Sequence, residues 1–330
     1  MNFVPVLDDI PENINGDQVD RLFEQVLVDH PEIFWFRGNY SFYAEKSTGI
    51  VRKIDLTYRY TQEEVQAARE KIAVAVEPFV ESINDQMSDF EVVLRAYETL
   101  VNFVDYDTIT LERQQKLTYE QRIDKPDPIR TIYGVFVDRK AVCAGYARAM
   151  QFLLKIMGIE SAYVSSGGHA WNLVKLEGDY YHLDVTWADG SNTSPEKNAG
   201  DMIDYSFFCV TTEEILGLDA HQPTDTIQLP LCTATKCNYH HRFGLYFECY
   251  DEEKIRRAVC DGLRIRQPNL SFKFLSLALR DQAAEKLIQE RKLDEMLAYA
   301  QEQAGIGASL SYTYSKSQYG PILNIFVKYN

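Results

Sequence analysis

The sequence predicts an α+β fold built from more than one module. Segments with the apolar period of amphipathic helices are separated by short segments in which apolar and polar residues alternate, as they do in strands. A chain of 330 residues is longer than one hydrophobic core normally organises, so two or three modules are expected. We predict a central module at residues 88–223, flanked by smaller α+β modules at residues 1–87 and 224–330.

The N-terminal module is predicted to contain two helices and a hairpin. One apolar stripe runs along residues 17–29, and the alternation between residues 40 and 60 predicts two antiparallel strands with one buried face. Thr61 and Glu64 form a capping box that opens the next helix. Pro78 is expected to kink or end that helix, because proline lacks the backbone N–H that a helix interior needs.

The central module begins with a second capping box, at Ser88 and Glu91, followed by an amphipathic helix. The polar segment from Glu112 to Arg130 contains two prolines and is expected to be a long exposed connection. Connections of that length in compact domains are often binding loops or lids, and a plain surface loop is the alternative. A second loop is expected at residues 190–200, which are rich in Ser, Asn, Gly and Pro.

The C-terminal module is predicted to contain two strand–helix pairs and a terminal hairpin. The predicted ranges are a strand at 244–250, a helix at 251–263, a strand at 270–275, a helix at about 281–303, and hairpin strands at 310–314 and 322–327. This order indicates an α+β module with an antiparallel edge.

The charge balance excludes some classes of partner. The chain has 49 acidic and 34 basic residues and a net charge of -15, which disfavours binding to nucleic acid or to an anionic membrane. The same charge mildly favours basic or neutral substrates, although plain solubility explains it better. The first residues have neither the basic nor the apolar region of a signal peptide, so we expect a cytoplasmic protein.

No cofactor or metal is predicted. Six scattered cysteines are too few for a disulfide scaffold in a chain of this length. The group Cys232, Cys237, His240 and His241 has an irregular spacing for zinc and reads better as a turn with unrelated polar residues. No glycine-rich loop of the kind that holds phosphate is present in the sequence.

Cys143 is the candidate nucleophile. The apolar stripe downstream of it predicts a helix of about fifteen residues that ends before Gly158, so the cysteine lies in the first turn. The positive end of the helix dipole stabilises a thiolate there, and the N–H of Cys143 could donate to an oxyanion. A buried structural cysteine is the common alternative for a single cysteine.

His169 and Asp184 are the candidate base and the acid that orients it. His169 follows Gly167-Gly168 at the mouth of a predicted strand, where we expect it to be accessible. A turn at Gly178-Asp179 would place Asp184 in the return strand on the face of His169, but about 13 Å further along, so a bulge or a register shift is required. His182 shares the predicted face of Asp184 and is the alternative base.

This part of the chain resembles the core of the transglutaminase-like superfamily, a papain-like group of transglutaminases, bacterial cysteine-protease-like proteins and peptide N-glycanases. The motifs that carry the resemblance are C-x-G-Y-A from Cys143, H-A-W-N from His169 and D-V-T-W from Asp184, in family order and spacing. It covers about residues 88–210 and includes the upstream sequence VDYDT. The resemblance implies a helix that carries the cysteine, packed on an antiparallel sheet, and a triad formed by Cys143, His169 and Asp184.

The resemblance also implies acyl transfer on a protein or peptide substrate. The Cys143 thiolate would form a thioester, which water or an amine resolves, as in a cysteine protease, an amidase or a transglutaminase. The papain pattern has a glutamine at the position of Val137, so the second oxyanion donor must come from elsewhere. Aromatic residues are the candidates for that donor or for walls of the substrate site: Tyr106, Tyr133, Trp171 and Trp187.

Two other functions are compatible with the sequence. The first is a binding or scaffolding module in which the triad is silent, as in some members of the superfamily. The second is an amidase that removes Asn-linked glycans, as peptide N-glycanases do. Neither the substrate nor the choice between hydrolysis and cross-linking follows from the residues.

Overall fold

The computed structural model describes residues 4–36, 39–58, 60–118, 128–189, 203–223, 228–307 and 309–330. Helices and strands are mixed throughout these ranges, which confirms the predicted α+β class. The chain divides into two compact units, Met1–Val164 with His169–Asn172, and Ser165–Gly168 with Leu173–Asn330. Across the described ranges, no helix is long and apolar enough to cross a membrane. The module boundaries at residues 87 and 223 stay predictions.

The first unit opens with the predicted helix and hairpin. Helix α1 (Gly16–Asp29) starts at a capping box in which Asn15 and Gln18 exchange hydrogen bonds. Strands β1 (Val6–Leu7), β2 (Tyr40–Ala44) and β3 (Val51–Leu56) form an antiparallel sheet in the order β1-β3-β2. The helix packs its apolar stripe on this sheet, where Val19 meets residues of β3 in a small core.

Helix α2 (Gln62–Glu81) begins at Thr61 with the predicted capping box. The expectation that the helix could end at Pro78 is wrong, since the helix continues to Glu81. The proline removes the donor that the carbonyl of Val74 would use, but Val74 is 68% exposed. Water can satisfy that carbonyl, so the proline is tolerated in the last turn.

Helix α3 (Asp89–Phe103) begins at Ser88 with the second predicted capping box. The long exposed connection predicted from Glu112 is partly wrong. Helix α4 (Thr108–Gln115) starts at Asp107, whose carboxylate accepts from the Thr110 N–H, and it includes the start of that segment. A 3₁₀ turn at Pro128–Arg130 forms its end, while residues 119–127 and the predicted loop at 190–200 lie outside the described residues.

Helix α5 (Cys143–Ile156) is the predicted cysteine helix, and Gly158 follows it with a φ of 75°. The strand β4 (Asp105–Tyr106) runs parallel to β5 (Lys140–Ala141), which leads into the helix. The Val142 N–H, immediately before the helix, donates to the Ile129 carbonyl at 2.9 Å. Two separate stretches of chain therefore fix the place where α5 begins.

Gly145 allows a close approach in the first turn of α5. A Cβ atom added at this position would lie 2.5 Å from the Ile129 carbonyl oxygen and 2.8 Å from the Cβ of Ala141. Both distances are well inside normal van der Waals contact. The small residues around Cys143 therefore bring the preceding 3₁₀ turn against the helix start.

The strands that follow α5 are β6 (Ser161–Ser165), β7 (Ala170–Leu176) and β8 (Asp179–Leu183), which form a sheet in the order β6-β7-β8. Glu177 and Gly178 connect β7 to β8 with φ values of 51° and 91°. A two-residue connection joins only antiparallel strands. The turn comes one residue earlier than predicted, and β8 ends at Leu183. Asp184 therefore lies just beyond the strand, and the strand register that would have required a bulge does not determine its position.

The second unit ends in a mixed sheet of four strands, β9 (Tyr246–Phe247), β10 (Asn269–Phe274), β11 (Leu310–Lys316) and β12 (Ile322–Tyr329). Their order in the sheet is β11-β12-β10-β9. The strand β9 is parallel to β10, and the other neighbours are antiparallel, including the predicted terminal hairpin. Helices pack their apolar faces on this sheet in one large core.

The second unit also contains the short helices α6 (Thr212–Leu216) and α7 (Tyr239–Arg242) and the predicted helix α8 (Glu252–Arg264). The single long helix predicted at about residues 281–303 is wrong. It is divided into α9 (Leu277–Ala284), which continues as a π-helical turn, and α10 (Lys292–Ala304). Arg291 between them has a φ of 62°, a left-handed conformation that no α-helix contains.

We predict that Gly145→Ala destabilises the protein. The steric overlap costs about 1–3 kcal/mol, which exceeds the roughly 1 kcal/mol that alanine gains over glycine inside a helix. Urea unfolding should show a lower free energy of unfolding. Gly167→Ala is the control, because its added Cβ meets nothing within 4 Å. An equal or higher stability of Gly145→Ala would contradict the close approach.

Candidate active site

Cys143 is the first residue of α5, directly after the N-cap residue Val142. The first N–H groups of a helix have no acceptor within the helix, and here no side chain caps them. The thiol therefore lies among backbone donors at the positive end of the helix dipole, where a thiolate or an oxyanion is stabilised. The side chain is 8% exposed, so only a small opening reaches it.

His169 lies at the start of β7, which packs against the cysteine helix. Ala170 contacts Cys143 and Ala147 in one cluster, and the Asn172 amide donates to the Ala147 carbonyl at 2.9 Å. These contacts confirm the predicted packing of the cysteine helix on a strand of the sheet. The His169 ring stacks on Trp171 with centroids 6.1 Å apart and is 9% exposed, which is less open than the preceding glycine pair predicted.

Asp184 belongs to the second unit, where its carboxylate is held by several donors. Oδ1 accepts from the N–H groups of Thr186 at 2.9 Å and Trp187 at 3.3 Å. Oδ2 accepts from Nε2 of His221 at 2.7 Å. A carboxylate oxygen only accepts, so Nε2 of His221 carries the proton. Both side chains are 0% exposed, so water screens the carboxylate charge poorly.

His221 was not identified from the sequence. It ends a 3₁₀ turn at Asp219–His221, and its ring packs edge-on against Trp187, with centroids 4.5 Å apart, and in parallel with Phe207. The residue is 37 positions from Asp184 and belongs to no motif. Only the tertiary structure pairs the two, since no local pattern marks an isolated histidine as the partner of a distant acid.

His182, the alternative base, lies inside the second unit. Its Nε2 is 3.2 Å from the Thr212 hydroxyl oxygen, and the side chain is buried. Burial and, to a smaller extent, the neighbouring His221 lower the pKa of His182 to about 4. A histidine held neutral in this way is a weak base at neutral pH.

The aromatic residues predicted for the oxyanion or substrate site occupy different surroundings. Tyr106 pairs with Ala141, two residues before the cysteine, and its ring stacks on that of Tyr146. Tyr133 packs against Phe34, and burial together with Asp138 raises the pKa of Tyr133. Trp171 and Trp187 make the ring contacts described above. The oxyanion role of these four residues stays a prediction.

A polar cavity of about 320 Å³ adjoins the cysteine helix in the first unit. Ala144 and Tyr163, which pack in the same cluster as Cys143, also line the cavity. Arg130 and Arg148 line it as well, and neither was singled out from the sequence. Their signal was weak, because one arginine lies in a segment predicted as an exposed loop and the other in a helix of mostly apolar residues.

The group that resembled a zinc motif is engaged in other contacts. Nε2 of His240 lies 2.8 Å from the Ser271 hydroxyl, and the Cys232 thiol lies 3.5 Å from the Pro230 carbonyl. Burial lowers the pKa of His240 and raises that of Cys237. These surroundings stabilise a neutral imidazole and a protonated thiol in an ordinary folded core.

Sequence comparison shows which family the central region is similar to. Residues 78–185 match the family model described as the Transglutaminase-like superfamily. This segment contains Cys143, His169 and Asp184 and makes up about a third of the chain, so the transglutaminase-like match holds for this region. A comparison with curated proteins finds no match.

Solved structures include two distant likenesses. A crystal structure of a TGase has a TM-score of 0.33 and 14% identity, covering 57% of this chain and 52% of its own. Menin, whose crystal structure reveals the binding site for the Mixed Lineage Leukemia (MLL) protein, has a TM-score of 0.28 and 14% identity, covering 89% of this chain and 58% of its own. At TM-scores this low, neither likeness assigns an activity or a partner to this chain.

We predict that His182 makes the protein less stable in acid. The pKa of about 4 in the folded state lies below the ordinary value of 6.5, so the unfolded chain binds the proton first. The contribution of neutral His182 to the free energy of unfolding is present in full above about pH 6.5. It falls by about 3 kcal/mol as the pH drops to 4. His182→Gln should reduce this loss in urea unfolding measured between pH 7 and pH 4. An unchanged pH dependence in the variant would contradict the prediction.

We also predict that His221→Phe destabilises the protein more than His221→Gln. Phenylalanine can fill the space between Trp187 and Phe207, but it leaves the buried Asp184 carboxylate without one donor. A hydrogen bond to a charged group contributes about 1.5–3 kcal/mol. Glutamine keeps an N–H donor, so its free energy of unfolding should lie nearer to that of the wild type. Equal losses in the two variants would assign the effect to packing.

Proposed function

We propose that the protein catalyses thiol-dependent acyl transfer on peptide or carboxamide substrates, with Cys143 as nucleophile, His169 as base and Asp184 as the acid that orients the base. The observation that carries the proposal is the position of Cys143, at the uncapped first turn of a helix inside a transglutaminase-like core. The strand that begins next to His169 packs on that same turn. A cysteine protease or amidase, or a transglutaminase, is the reaction class we expect.

In the proposed reaction, His169 takes the thiol proton and Cys143 attacks the carbonyl carbon. Backbone N–H groups at the start of α5 would stabilise the oxyanion, and the amine would leave with the proton from His169. Water or a second amine would then attack the thioester and release the acyl group. A protein or peptide substrate and a cytoplasmic location stay predictions from the sequence.

A catalytically silent binding module is the second candidate. The burial of Cys143 and His169, and the bond between the Asp184 carboxylate and His221, favour it, because an active acid and base need access to reacting groups. The two candidates differ in the reactivity of the thiol. Only a thiolate formed at neutral pH alkylates rapidly.

We therefore predict that Cys143 reacts with iodoacetamide about tenfold faster or more than Cys249 at pH 7, because the thiolate and not the thiol is the nucleophile. Cys249 is exposed and serves as the reference thiol. Burial raises the pKa of Cys209, Cys232, Cys237 and Cys260, so these four should react more slowly. Peptide mapping by mass spectrometry measures each rate.

Variants at the proposed partners complete this test. His169→Ala and Asp184→Asn should move the rise in Cys143 alkylation to higher pH, because the imidazolium that stabilises the thiolate is lost or weakened. His182→Gln is the matched control and should leave the Cys143 profile unchanged. Alkylation of Cys143 at or below the rate of Cys249 would refute the enzyme proposal and favour the silent module.

A further inference from the structure

The cavity beside Cys143 has a positively charged side and an apolar side. Arg130, Thr131, Arg148 and Tyr163 form the polar side. The apolar side comes from α1 and the segment after it, with Leu27, Pro31, Ile33, Phe34 and Phe36. Among the described residues that line this cavity none is acidic. The cavity is therefore locally positive, whereas the whole protein has a net charge of -15.

Arg148 is fixed in place by neutral groups. Its Nη1 donates to the Leu27 carbonyl at 2.7 Å, and its guanidinium carbon lies 5.0 Å from the centroid of the Tyr163 ring. A backbone carbonyl and an aromatic face both orient a guanidinium without neutralising its charge. The side chain is therefore held ready to donate to an anion.

Arg130 is fixed through its backbone. It ends the 3₁₀ turn that contacts the start of α5, where the neighbouring Ile129 carbonyl accepts from the Val142 N–H. The close approach at Gly145 locks this turn against the helix. Arg130 is consequently attached to the same backbone contact that fixes Cys143.

Tyr163 connects the two arginines to the nucleophile electrostatically. Burial raises the pKa of the Tyr163 phenol, the cations Arg148 and Arg130 act to lower it, and Cys143 acts to raise it. All three side chains are therefore near enough to influence one hydroxyl group. The nearby acid Glu32 is already bonded to Lys155 at 2.9 Å and lines a different, larger cavity.

We infer that this cavity binds a carboxylate group of the acyl substrate, next to the carbonyl that Cys143 attacks. The inference rests on the proposed function and specifies its substrate class. Two guanidinium groups supply the planar, charge-assisted donors that recognise carboxylates. The apolar side accommodates the hydrocarbon part of the same group. The mild preference for basic or neutral substrates, drawn from net charge, is replaced at this site by a preference for acidic ones.

The test compares two alkylating probes that share one reactive group. Iodoacetylglycine has a carboxylate, and iodoacetylglycine amide has a neutral amide in its place. In both, the Cys143 sulfur displaces iodide from the same carbon, so the ratio of the two rates reports recognition of the carboxylate. We expect the carboxylate probe to react about tenfold faster or more, as one charge-assisted hydrogen bond provides. The rate of the carboxylate probe should approach a maximum as its concentration rises. Its advantage over the amide probe should shrink in high salt.

Variants assign the advantage to the two arginines. Arg130→Gln and Arg148→Gln should each lower the ratio severalfold, and the double variant should bring it close to one. Arg148→Lys keeps the charge but not the planar donor pair, so an intermediate ratio is expected. Arg21→Gln, at an exposed position of α1, changes the net charge equally and should leave the ratio unchanged.

A second pair of probes distinguishes two sources of the carboxylate. The iodoacetyl derivative of glutamic acid α-amide presents a side-chain carboxylate, whereas iodoacetylglycine presents a terminal one. A larger rate advantage over the neutral reference for the glutamic acid probe would identify an acidic side chain in the substrate. A larger advantage for iodoacetylglycine would identify a peptide C-terminus. The corresponding glutamine amide is the neutral reference for the side-chain probe.

The failures of the two proposals are distinguishable. If Cys143 outreacts Cys249 but the carboxylate probe has no advantage, or has one that the arginine variants leave unchanged, the cavity inference is wrong and the acyl-transfer proposal stands. If Cys143 is no more reactive than Cys249 with either probe, the acyl-transfer proposal itself fails. Circular dichroism checks the fold of each variant. Should Arg148→Gln not fold, the wild-type ratio and Arg130→Gln decide the result.

Discussion

The close contact between the start of α5 and the 3₁₀ turn at Pro128–Arg130 is the constraint on which the candidate site depends. Gly145 allows this contact, and the Val142 N–H closes it with a hydrogen bond to Ile129. On the other side, the Tyr146 hydroxyl donates to the Val104 carbonyl. Close packing at a small residue and hydrogen bonds to backbone carbonyls thus fix the position of the thiol.

The buried Asp184 carboxylate of the second unit and the Arg148 guanidinium beside the cavity have opposite kinds of partner. The Asp184 carboxylate is surrounded by donors from Thr186, Trp187 and His221, so its folded-state partners are already present. Arg148 instead rests on a carbonyl and an aromatic ring. A half-buried charge with such neutral partners costs free energy that a complementary ligand can recover. This difference is why we assign anion binding to the cavity that contains Arg148, and a structural or orienting role to His221.

The sequence predicted most helices, including the cysteine helix, because capping boxes and apolar stripes are local signals. Motif spacing, also a local signal, indicated the residues proposed for the candidate site. Prediction from the sequence failed where tertiary contacts override local preference. Solvent access at Val74 permits a proline in α2, and a left-handed Arg291 divides a helix whose apolar pattern is continuous. The pairing of Asp184 with His221 and the meeting of Arg130 with Arg148 join distant segments, for which a single sequence contains no local signal.

The bond between Asp184 and His221 has a consequence for the order of folding. It joins residues 37 positions apart, so the intervening chain must be closed into a loop before the bond can form. The backbone hydrogen bonds within helix α5 are local, and local structure forms orders of magnitude faster than long loops in larger topologies. A chain leaving the ribosome would therefore expose a helix bearing Cys143 before Asp184 is in place, which would delay the proposed chemistry until the later segment has folded.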